Sequence, residues 1–398
     1  MTRYLAYTSP ARGHLYPIVD TLLELLRRGH EVHVRTLSAE VDTLRAAGLN
    51  AEAIAPAIEL NPLDDEHATT PEEGVCAVLR TFAARARHEV PDLQQAITQL
   101  DPDVLLIDVA AAGAAAVAEA SQRRWAQWSP YFHHVTPAPG AKSVVTFAPF
   151  TLAPAGMEVL NDSRRRVGLA AITDPGDAWR APLHLYFTAE PLDISKDEYP
   201  PTFRMVGPGL WEPPASSPAR LDETAERLVL VTASSERQAD DALITTSLEA
   251  LRTEDVRVIA TTVTHDPDRF EAVSNATIER WLPHGQLVGQ ASCVVCHGGM
   301  GITQRALAAG TPVCVVPFGR DQFEVAGRVA ASGAGTVVMP HQLNPAALGA
   351  AIEEAMTMRA GAARVAAGFA QAGGARAAVD SLESLHAATA RHAAAVAP

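Results

Sequence analysis

The run Ser292-Cys-Val-Val-Cys-His-Gly-Gly-Met-Gly-Ile-Thr-Gln-Arg-Ala-Leu is the sharpest candidate for chemistry in this chain. An apolar strand ends at His297, a glycine turn follows, and the pattern predicts a helix opening near Ile302. Free N–H groups at such a helix start, with the positive end of the helix dipole, form an anion site. Gly298, Gly299 and Gly301, with Met300 among them, let the backbone approach a phosphate closely. Thr303 adds a hydroxyl and His297 an imidazole N–H. A βα turn without a ligand has no need of a histidine beside four backbone donors.

The second constellation is His14, in the turn Ser9–His14 after the first strand-like run, with Asp108 at the end of a later one. In an open α/β sheet, ligands bind in the crevice beyond the carboxyl ends of the strands. A carboxylate on one imidazole nitrogen fixes the tautomer and leaves the other free to take a proton. Alone, either residue reads as a cap; their shared end of one sheet suggests an acid–base pair. Phe318-Gly-Arg-Asp-Gln follows another strand, and Asp321 and Gln322 suit sugar hydroxyls. Trp281-Leu282-Pro-His284 offers a flat ring for a nucleobase. Ser234 and Ser235, after the strand at 228–232, could touch a phosphate.

Rival chemistries fit less well. Cys293-Val-Val-Cys296-His297 matches a haem-attachment string and a redox or zinc motif. In a strand, however, residues three apart point to opposite faces, so the two thiols cannot share a ligand. Gly299 and Gly301 fit two positions of a dinucleotide fingerprint with Asp321 twenty residues on, but Gln304 takes the third glycine's place. An NAD(P)-dependent oxidoreductase is therefore the alternative enzyme class. Asp101-Pro-Asp103 and Asp266-Pro-Asp268 read as turns rather than metal sites.

The elements that must position these groups alternate between strand and helix patterns, which implies doubly wound α/β architecture. Expected strands are 4–9, 31–36, 103–108, 228–232, 255–262, 277–280, 292–297 and 312–317. Expected helices include one at about 15–28, with Pro17 in its first turn and Gly29 as its stop, and one near 239–251. The prolines of 207–222 mark a linker. The expected domains are 1–210 and 223–380 around a linker at 211–222, with a helix at 381–398 returning to the first domain. A formal net charge of −14 argues against nucleic acid as a partner, and 47% hydrophobic with 20% charged residues suits a globular chain. No signal-peptide pattern or membrane-spanning stretch is read, so the expected location is cytoplasmic.

Taken together, Gly13-His14-x-x-Pro17, Asp108, Trp281-Leu-Pro-His, His297-Gly-Gly-Met-Gly-Ile-Thr303, Ala309-Gly-Thr-Pro312 and Asp321-Gln322 resemble the bacterial antibiotic and macrolide glycosyltransferases, relatives of the UDP-glycosyltransferases. The resemblance implies the GT-B fold, two Rossmann-like halves facing across a cleft. It implies a metal-independent, inverting transfer without a cofactor, from a dTDP- or UDP-sugar to a hydroxyl of a hydrophobic natural product. His14 would be the base, Asp108 its partner, and 297–303 the diphosphate loop. The aromatic residues Trp128, Tyr131, Phe132, Phe147 and Phe150 suggest an acceptor site built from 55–90 and 125–160. Two positions depart from the pattern: Arg305 replaces a ribose-holding glutamate, and His284 stands where glutamine is frequent. A monomer or homodimer is expected. A non-catalytic nucleotide-sugar-binding relative is the remaining alternative.

Overall fold

The computed structural model describes residues 1–65, 68, 71–132, 154–174, 180–193, 195–214, 227–236 and 238–396. They form two parallel sheets. The first has the order β3-β2-β1-β4-β5-β6-β7, made by β1 (Arg3–Tyr7), β2 (Glu31–Thr36), β3 (Asn50–Ala53), β4 (Val104–Asp108), β5 (Arg124–Ser129), β6 (His184–Tyr186) and β7 (Phe203–Met205). The second has the order β10-β9-β8-β11-β12-β13, made by β8 (Leu228–Thr232), β9 (Arg257–Thr261), β10 (Ala276–Glu279), β11 (Cys293–Cys296), β12 (Val313–Val315) and β13 (Gly335–Val337). Every paired strand in both is parallel. The strand order reverses at β1 in one sheet and β8 in the other, which opens a crevice at each carboxyl edge.

Helices cover both faces of each sheet, so the central strands are apolar throughout. Along β1, Tyr4 and Ala6 enter one core and Leu5 and Tyr7 the other. Along β11, Cys293 and Cys296 fall in different cores, as a period of two requires. All four cysteines are free. The first helix runs Arg12–Arg27. It therefore starts three residues before the expected position, and Pro17 lies inside it rather than in its first turn. Gly29, at φ 82°, ends it in the left-handed conformation that glycine tolerates.

Two further differences matter for the site. The thirty-residue helix Pro71–Leu100, absent from the sequence reading, walls the first half. The returning helix begins at Gly374 rather than 381, after Gly373 and Gly374 break the preceding helix at positive φ. Its Ala378, Val379 and Leu382 bury against Leu22 and Leu25. Arg28 pairs with Asp380 at 2.7 Å and Glu383 at 2.8 Å, and His30 reaches Glu383 at 3.0 Å. The halves also share an apolar core, in which Phe132, Tyr186, Leu192 and Phe203 meet Met300, Val325, Val329 and Phe369. Among the described residues, no helix is long and apolar enough to cross a membrane.

Candidate active site

The cleft between the sheets has a volume of about 800 Å³ and is lined from both halves. On the first half, His14 sits in the opening turn of its helix, at the carboxyl end of β1. Its Nδ1 lies 3.0 Å from both oxygens of Asp108, which is wholly buried at the end of β4. The backbone N–H groups of Ser9 and Ala110 also donate to that carboxylate, each at 2.9 Å. Asp108 is thus fixed by three partners, and the far nitrogen of His14 is left on the cleft side. Burial disfavours the charged imidazole, but Asp108 outweighs it and raises the His14 pKa above 6.5. The Tyr131 ring stands 5.7 Å away, edge-on.

On the second half, the turn after β11 carries His297, Gly298 and Gly299 into the helix Met300–Ala308. This helix opens two residues before the expected Ile302, so the backbone N–H groups of its first turn rise from the glycine turn itself. Gly298 adopts φ 89° with Val315 Cγ1 2.8 Å from where a Cβ would stand. A Cβ on Gly299 would collide with the His297 ring, whereas one on Gly301, which lines the cleft, meets no protein atom within 4 Å. His297 is buried. Its pKa is pushed down to about 4, by desolvation first and then by Arg320, so the ring is a neutral donor at neutral pH.

Several expected residues line this cleft together: His14, Tyr131, Ser234, Ser235, Trp281, Leu282, His297, Gly299, Met300, Gly301, Asp321 and Gln322. Trp281 is 48% exposed, as a platform awaiting a ring would be. Ser234 is already engaged, with its N–H on Asp240 at 2.6 Å and its hydroxyl accepting from Glu236 N at 3.1 Å. Gln322 is likewise committed: its carbonyl takes the N–H groups of Phe318 and Gly319, and its amide donates to Gln238. It shapes the loop. Asp321 makes no capping bond to its helix and has its pKa raised, by burial above all.

Other expectations are corrected. The Thr303 hydroxyl turns into the core, 3.6 Å from the Cys296 sulfur, and does not reach the cleft. Trp128 lies on β5, 1% exposed, where its indole N–H donates to the His14 carbonyl at 3.3 Å. Phe132 is buried in the core between the halves, with the Arg328 guanidinium 4.6 Å from its ring centre. Neither can touch an acceptor. Phe147 and Phe150 lie outside the described residues. The apolar wall near His14 is built instead by Leu63, Val78, Phe82, Pro130 and Tyr131.

Charged groups that no sequence motif marks are brought here by tertiary structure alone. Arg320, at φ 55°, grips Asp65 of the other half at 2.7 and 2.9 Å. Glu236 faces the cleft with its pKa raised by burial, against Arg320, His14 and Arg12. The linker contributes Trp211 and Glu212. The acidic dipeptides prove structural: Asp101 pairs with Arg123, Asp103 takes the Arg3 N–H, and Asp266 takes that of Asp268.

Residues 245–385 match the family described as Erythromycin biosynthesis protein CIII-like, C-terminal domain. The chain is 28% identical over 387 residues to 4'-demethylrebeccamycin synthase of Lentzea aerocolonigenes, covering 86% of this chain and 89% of that one. It is 22% identical to the NDP-glycosyltransferase YjiC of Bacillus subtilis (strain 168), covering 86% of each. The glycotransferase of kitacinnamycin superposes with a TM-score of 0.79 at 24% identity, over 96% of this chain and 99% of that one. The spinosyn rhamnosyltransferase SpnG complexed with thymidine diphosphate gives 0.75 at 22%, over 96% and 100%. Two parallel α/β sheets facing one cleft, matched over this length by solved glycosyltransferases, are the GT-B fold. Residues 245–385 are thus similar to the CIII-like domain, and most of the chain is similar to 4'-demethylrebeccamycin synthase and to an NDP-glycosyltransferase.

Proposed function

We propose that this enzyme moves a sugar from a pyrimidine nucleoside diphosphate, dTDP or UDP, to a hydroxyl of a hydrophobic natural product, with inversion at the anomeric carbon. The observation that carries this reading is the His14–Asp108 pair facing the glycine turn across the cleft. Nε2 of His14 takes the acceptor's proton while Asp108 stabilises the imidazolium. The acceptor oxygen attacks the anomeric carbon as the bond to the diphosphate breaks. Negative charge grows on the leaving phosphate, and the N–H groups of Gly299–Gly301, the helix dipole and neutral His297 are placed to receive it. Charge is compensated by the chain itself, so the mechanism calls for no metal or cofactor. Trp281 and Leu282 would take the base, Asp321 the sugar hydroxyls, and the Leu63–Val78–Phe82–Tyr131 wall the apolar acceptor. The thymidine diphosphate held by SpnG favours a dTDP-sugar as the first donor to try.

Thermal-shift titration with UDP, dTDP, GDP and NADH, followed by mass-spectrometric assay of donor–acceptor mixtures, tests the reading. Stabilisation by NADH but by no pyrimidine diphosphate would refute it. Gly301→Ala provides a finer check. Alanine at an open helical position is expected to preserve or raise Tm, through about 0.5–1 kcal/mol of added stability from intrinsic propensity. Its methyl group occupies the space a phosphate needs, so dTDP affinity is expected to fall roughly tenfold or more as charged hydrogen bonds lengthen.

The pH dependence has a definite sign. His14 works as a base only when neutral, and its pKa is raised above 6.5. Thus kcat/KM is expected to fall as pH drops through a value above 6.5. Asp108→Asn removes the charge that raises it, so the limb is expected to move to lower pH while the plateau drops by roughly 10²–10⁴. Profiles between pH 5 and 9 decide this; an unmoved limb would detach Asp108 from the base.

A further inference from the structure

The helix Met300–Ala308 presents Gly301 and Arg305 four residues apart, hence on one face about 6 Å from each other. Arg305 holds the linker: its guanidinium donates to the Trp211 carbonyl at 3.1 Å and pairs with Glu212 at 3.5 Å. The Glu212 carboxylate in turn accepts the Gly285 N–H, at 3.0 and 3.2 Å from its two oxygens. Gly285 follows the Trp281 platform by four residues. A Cβ at that position would overlap a Glu212 oxygen and crowd Arg305 at 3.2 Å, so glycine is what permits the approach. The linker is fixed on its other side as well. Leu210 N–H donates to Asp20 at 3.1 Å, Gly209 lies against the Pro17 carbonyl, and the Trp211 ring stands edge-on to Tyr16 at 5.1 Å.

Resting on the donor site read above, we propose that Glu212 recognises the pentose of the nucleotide by accepting its 3'-hydroxyl, with Arg305 as the residue that positions the carboxylate. A nucleotide with its base on Trp281 and its diphosphate at Gly299–Gly301 must lay its pentose between them. That interval is where Glu212 and Arg305 line the cleft. A carboxylate is an acceptor only, so it repels phosphate and selects a hydroxyl. The Glu212 side chain is 24% exposed, and its two oxygens have lone pairs beyond those used by Gly285 and Arg305. Nucleotide binding then ties the donor half to the segment that joins the two halves. Glu212 touches the leaving nucleotide rather than the reacting atoms, so its loss acts on donor KM more than on kcat.

A chemical cycle tests this with calorimetry of dTDP and its 3'-deoxy analogue on wild type, Glu212→Ala and Glu212→Gln, repeated with the UDP pair. Removing the 3'-hydroxyl is expected to weaken wild-type binding roughly tenfold or more, as for a hydrogen bond to a charged group. Glu212→Ala is expected to bind both nucleotides alike, and Glu212→Gln, which keeps an acceptor and the linker's shape, to fall between. If Glu212 only anchors the linker, both nucleotides weaken by the same factor in the variants and the 3'-hydroxyl keeps its full effect; that result overturns the proposal. Binding of neither nucleotide by wild type would instead overturn the nucleotide-donor reading, and this inference with it.

Discussion

Replacing His14 with alanine is expected to lower kcat by roughly 10²–10⁴, the usual contribution of a positioned general base, while leaving the affinity for the nucleotide within about a factor of two. The two effects separate because the residue and the donor site belong to different halves. His14 stands on the first sheet's crevice and takes its orientation from Asp108, at 3.0 Å. The phosphate turn stands on the second. Fold is not at stake: the His14 side chain is 21% exposed, and its loss leaves Asp108 still bonded to two backbone N–H groups. Single-turnover rates and calorimetric Kd values on the same preparation measure both quantities. Unchanged turnover would remove His14 from the chemistry and leave its bond to Asp108 as a structural feature of the helix start.

Gly298→Val is expected to damage fold and function together. At φ 89° a β-branched residue is strained, at a cost of about 1–3 kcal/mol, before any contact is counted. Its Cβ would also press on Val315 Cγ1 at 2.8 Å and the Gln322 carbonyl at 3.2 Å, both inside the second half's core and loop framework. Relief requires the turn to move, and the turn carries His297 and the N–H groups on which the diphosphate depends. A lowered Tm is expected alongside the loss of any stabilisation by dTDP. Gly301→Ala provides the contrast, because there affinity falls and Tm does not. Equal behaviour of the two variants would mean that the turn is not a ligand site at all.

Residues 228–232 form a strand with the bounds their apolar run suggests, because a strand buried on both faces shows itself as an unbroken apolar run, whereas 31–36 shows itself by alternation, with every second residue buried. The encounter of His14 with Asp108 was legible for a related reason, since both lie at carboxyl ends of strands of one sheet. Tyr131 does line the cleft, but Trp128 and Phe132 do not, because residue type does not reveal facing. Trp128 sits on a strand whose last five residues are all buried, so its ring had no solvent side to occupy. Thr303 was misplaced by a helix boundary. With the helix opening at Met300, position 303 turns toward β11 and the hydroxyl meets Cys296. Glu212, Glu236 and Arg320 left no signal, because their partners lie 73 to 255 residues away or on another element altogether. Such pairings are products of domain docking, which local periodicity does not encode.

The helix that begins at Gly374 has a consequence for how the chain is made. It covers the Leu22–Leu25 face of the first helix and bonds Arg28 at a sequence separation of 352. At a ribosome's pace of 5–20 residues per second, that face waits roughly twenty to seventy seconds for its cover. During that interval the nascent first half exposes apolar surface that its own residues cannot hide. The half that is synthesised first is therefore the half that is finished last.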